Sequence, residues 1–487
     1  MNLNNLKANL VKSEKAKEFL DSSFWSIAGS IVSKTIVFVT WVIIGRILGS
    51  SDYGNFGIIR DTVIMFSSFA GLGLGLTASK FVAEFLHSDK EKSGRIIGLT
   101  ILFGIIAGLI VGGGVFVFSP TISLSMLNNP EFTIDLRMAS IMLFFTSLNG
   151  AQIGALQGLQ AYKIIARINI WQAVSCAPIL LVASYYGGVH GSVAGFTFYN
   201  VIICLFSHIA LNKTLKNNEV KVNIKDCLKE KELIWTYSLP AFLGGLIITP
   251  MKWISEVILI NVPEGSRQLG IFMAAQTLGS MFLMFTAMLN APFLTTMAKY
   301  KNENINNSFN RFNIIAPWAI GVYITLPFML FPEIGEYIWG KDFAGGEFRL
   351  CFVFTMFFNL IMMYKQGLAR IISVYNLQWL GALSNLLWGL TLLLSMWLLK
   401  GYGAVGLACS YVIAYIVNTV VVLPFYNKRN LIPTNTVFSK YALYIWIISI
   451  IILFVNVLED TVLIRSIVFL VTIPLYFFLF KKYFKQN

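Results

Sequence analysis

Long apolar runs, broken by short polar or charged connections, follow one another along this chain, and no sustained period-two alternation interrupts them. That pattern predicts membrane-crossing helices rather than a barrel, whose strands alternate in and out. With about 20 apolar residues per crossing, it predicts fourteen spans. The first six lie near 22–48, 59–86, 96–118, 136–159, 168–186 and 191–211. Six more lie near 233–260, 269–297, 312–331, 348–370, 377–399 and 403–425, and a last pair near 441–457 and 462–480. The first apolar run starts only near Phe24, behind a basic arm and without a small-residue cleavage site, so it is expected to be a span and not a removed signal.

Composition removes the soluble alternative. Of 487 residues, 56% are hydrophobic and 12% charged, against about 25% charged in soluble domains. The net charge of +14 reads as topology rather than as affinity for nucleic acid, because of where the basic residues fall. One set of connections holds the arm (Lys7, Lys12, Lys15, Lys17), then Lys90, Lys92 and Arg95, then Lys163 and Arg167. The same set continues with the six lysines between Lys213 and Lys231, with Lys299, Lys301, Arg311 and Arg370, with Lys428, Arg429 and Lys440, and with Lys481, Lys482 and Lys485. The opposite connections hold Arg267, Lys341 and Lys400. By the positive-inside rule both termini are expected in the cytoplasm. Cys176, Cys204, Cys227, Cys351 and Cys409 are scattered singly, as are His87, His190 and His208, so neither a disulfide framework nor a metal site is expected.

The chain carries traces of an internal repeat. The stretch from Gly54 to Lys80 resembles that from Gly270 to Lys299. Gly188-Val189-His190-Gly191 before the sixth span resembles Gly403-Ala404-Val405-Gly406 before the twelfth. Gln157-Gly158-Leu159 resembles Gln366-Gly367-Leu368. Six spans followed by six of the same topology make a parallel repeat about an axis along the membrane normal. The expected organisation is an arm (1–21), a first lobe (22–211), a polar inter-lobe loop (212–232), a second lobe (233–425) and two further helices (426–487).

These features, with Arg46-Ile47-Leu48-Gly49 running into Asp52-Tyr53-Gly54-Asn55-Phe56 and the small-residue run Gly71-Leu72-Gly73-Leu74-Gly75, resemble the multidrug/oligosaccharidyl-lipid/polysaccharide exporter superfamily. Within it they resemble the polysaccharide-transporter (Wzx-type O-antigen flippase) family. The resemblance implies an all-α polytopic fold of two six-helix lobes, like the multidrug exporters, with two extra carboxyl-terminal helices. It also implies alternating access about a central cavity and movement of undecaprenyl-diphosphate-linked O-antigen or capsule repeat units out of the cytoplasmic leaflet. The partners it implies are that glycan lipid, the bilayer, a polysaccharide polymerase and a chain-length regulator.

Charges within spans need a reason, since one at the bilayer centre costs at least about 2.5–3.5 kcal/mol. Lys34 lies mid-span, roughly 18 Å from either surface at 1.5 Å per residue. Lys252 has a comparable place in the seventh span, Lys365 in the tenth and Lys80 in the second; Arg60 and Asp61 open the second span. Lys34, Arg60, Lys252 and Lys365 are the candidate cationic contacts for a diphosphate, which carries about two negative charges. The structural alternatives are i,i+4 ion pairs, Lys252 with Glu256 and Lys80 with Glu84, snorkelling of Lys365 and Arg370, and an interfacial cluster of Arg46, Arg60 and Asp61. Glu256 and Asp61 are the candidates should H⁺ or Na⁺ drive the cycle; no other cofactor is expected, and a gradient of the lipid product is the alternative drive. Pro240 and Pro250 mark a bent seventh span. Trp25, Trp41, Trp235, Trp253, Trp339 and Trp397 read as an interface belt. A drug exporter of the same fold would want an acidic cavity, and a membrane polymerase or ligase a large, charged outer loop; neither matches the pattern.

Overall fold

The computed structural model describes residues 14–239, 242, 246–299, 306–375, 377–429, 431–432, 436–458 and 461–485. Among them the secondary structure is helical: α1 (Glu14–Gly71), α2 (Leu74–Phe85), α3 (Lys90–Thr121), α4 (Phe132–Gly158) and α5 (Tyr162–Asn217) come first. After a one-turn π-helical segment (Ile234–Ser238) come α6 (Ile248–Ile260), α7 (Gly265–Ala287), α8 (Asn290–Lys299), α9 (Asn306–Leu330) and the short α10 (Glu333–Trp339). α11 (Gly346–Val374), α12 (Gln378–Leu399), α13 (Gly403–Lys428), α14 (Lys440–Leu458) and α15 (Val462–Lys485) complete the chain.

Nine continuous helical stretches among the described residues are long and apolar enough to cross a membrane. Three of these stretches are helical pairs joined through a glycine. Gly49 (φ 75°) divides α1 and Gly188 (φ 55°) divides α5. Gly403 (φ 58°) turns the chain between α12 and α13. Among the shorter elements, α14 is apolar over Lys440–Val455, and α6 is 13 residues long.

Local geometry repeats between the halves. Gly188 has ψ −133° and Gly403 ψ −132° at nearly the same φ, a region a β-carbon disfavours. The second crossing breaks at Leu72 and Gly73, both with positive φ, and its counterpart breaks at Met288–Leu289 between α7 and α8. Gly54 and Gly270 mark a crossing of two helices at backbone contact: a β-carbon on Gly54 would lie 1.8 Å from the Ser266 carbonyl oxygen, and one on Gly270 1.8 Å from that of Ser50. The contact is reciprocal. Ser50-x-x-x-Gly54 and Ser266-x-x-x-Gly270 are each a small-xxx-small motif, which lets backbones approach this closely.

The chain forms two compact units, Met1–Trp41 with Ile59–Leu246, and Val42–Ile58 with Ile247–Asn487. In the first, the polar stretch 212–232 is an ordered strap along α3. Asn223 donates its backbone N–H to the Gly94 carbonyl (3.2 Å), Arg95 pairs with Glu230 at 2.9 Å, and Cys227 is fully buried. In the second unit, α14 and α15 pack on α9 and α11. Trp318 stacks on Trp446 (4.9 Å) and meets Phe480 edge-on, while Arg465, buried, pairs with Glu333 at 2.7 Å.

Two of the belt tryptophans are core residues instead. Trp339 is 1% exposed, packed on Tyr53 and flush with Gly45, and Trp253 is also buried. Trp235 and Trp397 are exposed, as a belt requires. Proximity to a span end does not distinguish the two roles, because the short helix α10 folds back and buries its own tryptophan.

Candidate functional site

The first unit gathers its charge around Trp41. Lys34 is exposed, and it precedes Trp41 by seven residues, nearly two helical turns. It therefore shares the face of Trp41 and points away from the face of Val32, Val39 and Ile43, which are exposed by 47, 47 and 38%. The Arg60 guanidinium lies 5.1 Å from the centre of the Trp41 ring, within cation–π range. It also donates from Nε to Asp61 Oδ1 at 2.8 Å. The Arg60 and Asp61 side chains are only 15 and 8% exposed. Phe196 meets Trp41 edge-on at 5.8 Å and lies parallel to Tyr199. The result is a largely buried guanidinium beside the Asp61 carboxylate and the Trp41 ring, with Lys34 along the same helix side.

In the second unit Lys252 pairs with Glu256 at 3.5 Å, with the Glu256 side chain buried and that of Lys252 39% exposed. Each candidate coupling carboxylate, Asp61 and Glu256, is thus buried beside a cation of its own unit. Lys365 occupies a separate place. Its Nζ donates to Asn418 Oδ1, and it faces the Tyr415 ring at 5.5 Å. It lines a cavity of about 370 Å³ that includes Ile248 but not Lys252, one turn further on.

The structural alternatives divide. No Lys80–Glu84 ion pair is present among the described residues; Lys80 instead lies over the Tyr237 ring at 4.2 Å. An aromatic face competes here with an exposed carboxylate that stays hydrated. Arg46 caps α10, donating to the carbonyls of Tyr337 (2.5 Å) and Ile338 (2.8 Å), where the helix leaves acceptors unpaired. Arg370 does not snorkel. It is 3% exposed and donates to Asn313 Oδ1 (2.6 Å), to the Asn313 carbonyl (3.0 Å) and to Asn290, with its guanidinium over Phe293. It ties three helices together from inside.

Pro240 lies outside the described residues. Pro250 is the third residue of α6, where the backbone N–H has no helical acceptor in any case, so proline is accommodated without a lost bond. Sequence reasoning missed Asn418, Ser384 and Gln366 around Lys365, because neutral amides in apolar helices carry no charge to flag them. It also missed the Asp135–His190 pair (2.7 Å), which joins the first turn of α4 to α5 just beyond its Gly188 hinge.

A model of the family described as polysaccharide biosynthesis protein matches residues 19–301, more than half of the chain. The chain belongs to that family. It is similar to curated proteins at low identity: 22% over 285 residues to the EPS I polysaccharide export inner membrane protein EpsE of Ralstonia nicotianae, covering 55% of this chain and 63% of EpsE. Stage V sporulation protein B of Bacillus subtilis is 20% identical over 454 residues, covering 87% of this chain and 86% of that one. Among solved structures, this polysaccharide biosynthesis protein superposes on the lipid II flippase MurJ, in an inward closed conformation, with a TM-score of 0.70. The identity is 14%, and 95% of this chain and 100% of MurJ are covered. An inward-facing multidrug-resistance MATE transporter gives 0.61 at 17% identity over 81% and 94%. The likeness to both structures is one of fold.

Proposed function

We propose that this protein is a flippase that carries undecaprenyl-diphosphate-linked oligosaccharide repeat units across the cytoplasmic membrane, with both termini in the cytoplasm. The observation that carries the reading is the sign of the intramembrane charge. Arg60 and Lys34 lie on the Trp41 side of the first unit and Lys252 is half-buried in the second, where an exporter of cationic drugs would want acids. Guanidinium and ammonium groups in a partly desolvated setting favour a diphosphate. The family match and the likeness to polysaccharide export proteins support the same reading.

The carboxylates have a role in this scheme. Asp61 and Glu256 hold Arg60 and Lys252 while no cargo is bound, and an incoming diphosphate competes for the same cations. Protonation of either carboxylate, or Na⁺ binding to it, would release its cation and couple the cycle to an ion gradient. Binding that differs between states is what shifts a conformational equilibrium.

The test is genetic. Deleting the gene should leave lipid-linked repeat units accumulated on the cytoplasmic leaflet, with surface polysaccharide lost. Normal surface polysaccharide, with lost resistance to cationic drugs, would defeat the proposal and favour drug export.

A further inference from the structure

The cavity beside Lys365 lies wholly within the second unit, walled by α11, α12 and α13 and reached by Ile248 of α6. At about 370 Å³ it falls in the range of small-molecule sites, about 300–1,000 Å³. None of its lining residues is acidic. The Lys365 ammonium has three donors, of which Asn418 Oδ1 takes one. Asn418 is itself fixed, because its amide donates to the Ser384 carbonyl (2.6 Å) and hydroxyl (3.0 Å). Gln366 presents a buried Oε1 with no partner among the described residues. Its neighbours in the wall include Asn385 and the rings of Tyr415 and Tyr426, with Met362, Ile372 and Leu423 supplying apolar surface.

A part-buried cation with neutral partners costs free energy that a hydrogen-bonded anion returns. The wall amides of Gln366 and Asn385 suit hydroxyls, and the apolar wall suits a hydrocarbon chain. We propose that this cavity binds the phosphate-ester head of a hydroxyl-bearing amphiphile, with the phosphate on the Lys365 ammonium and the hydroxyls on Gln366 and Asn385. A bilayer phosphatidylglycerol and a polyprenyl-phosphate-linked sugar share that chemistry. The site stands within one unit and holds whether or not the protein exports glycans.

The test uses the full chain in phosphatidylcholine nanodiscs, with phosphatidylglycerol or undecaprenyl phosphate added stepwise and bound lipid counted by native mass spectrometry. Wild type should retain at least one probe. Losing a charge-assisted hydrogen bond should weaken retention about tenfold in Lys365→Gln, while Lys365→Arg stays within about threefold and Lys482→Gln, at a helix end far from the cavity in sequence, is unchanged. Asn385→Ala removes a wall residue with no hydrogen bond to the other described residues, so it tests the site with little effect on folding. It should weaken retention a few-fold. Retention of phosphatidylglycerol identifies the bilayer as the source, and retention of undecaprenyl phosphate alone identifies a prenyl carrier. Wild type that retains neither probe overturns the proposal, as does Lys365→Gln together with Asn385→Ala that retain both like wild type.

Discussion

Adding one methyl group at Gly270 tests the reciprocal crossing directly. The new β-carbon would lie 1.8 Å from the Ser50 carbonyl oxygen and 2.8 Å from its carbon, both backbone atoms that no rotamer change can move. Restoring an ordinary contact of 3.4 Å needs about 1.6 Å of separation between the two helices, in an interior that packs with few voids. Overpacking of this kind typically destabilises by about 1–3 kcal/mol. At about 2–4 °C per kcal/mol for a cooperative unit of roughly 250 residues, Gly270→Ala should lower the unfolding midpoint of the detergent-solubilised protein by several degrees. Gly113→Ala is the matched control: nothing lies within 4 Å of its β-carbon, and alanine gains helix propensity over glycine. It should be neutral or slightly stabilising. The measurement is the temperature at which half the monodisperse peak is lost on size exclusion. A Gly270→Ala protein as stable as the Gly113→Ala protein would refute the crossing.

Lys34→Ala should abolish surface polysaccharide at normal protein abundance, with Lys34→Arg partly active; immunoblotting beside polysaccharide staining checks this, and wild-type polysaccharide in the alanine variant would remove Lys34 from the binding reading. Arg370→Leu strips Asn313 and Asn290 of their donor and leaves buried amide oxygens unsatisfied, at about 1–3 kcal/mol each. The expected outcome is low abundance and a lower midpoint, and an unchanged midpoint would count against the buried clamp. The hydrogen bond and charge of Asp135 raise His190 above its ordinary 6.5, and burial raises Asp135 itself. The stability His190 adds is therefore fully present below about pH 6.5 and lost as pH rises through its elevated value. Wild type should lose its small advantage over His190→Gln between pH 6 and 9, and an advantage that grows with pH would overturn the assignment.

Hydropathy made the helices legible because a bilayer leaves backbone groups no partner but their own helix. Their joints were less legible. Gly188 and Gly403 could be matched from their Gly-x-x-Gly turns, but Leu72 with positive φ gives no sequence sign, since leucine there is sterically disfavoured and held only by its surroundings. The small-xxx-small motifs at Ser50 and Ser266 were open to view yet went unread among the glycines. Charge was harder still. Spacing alone suggested a Lys80–Glu84 pair, whereas the ring of Tyr237, 157 residues away in sequence, takes the amine. Position near a helix end suggested that Arg370 snorkels, whereas two asparagines from other segments make its burial tolerable. Such outcomes depend on neighbours that only folding brings together.

The matching Gln-Gly-Leu tripeptides align Lys365 with Leu156, a residue sealed in the hydrophobic core of the first unit. A transporter assembled from two identical chains would have to carry any new ammonium twice, doubling the desolvation it must survive. Joined in one polypeptide, the halves are released from that symmetry: one has a leucine packed in its core where its twin has an ionic group facing a cavity. Equivalent substitutions in the two halves of this protein should accordingly have unequal consequences.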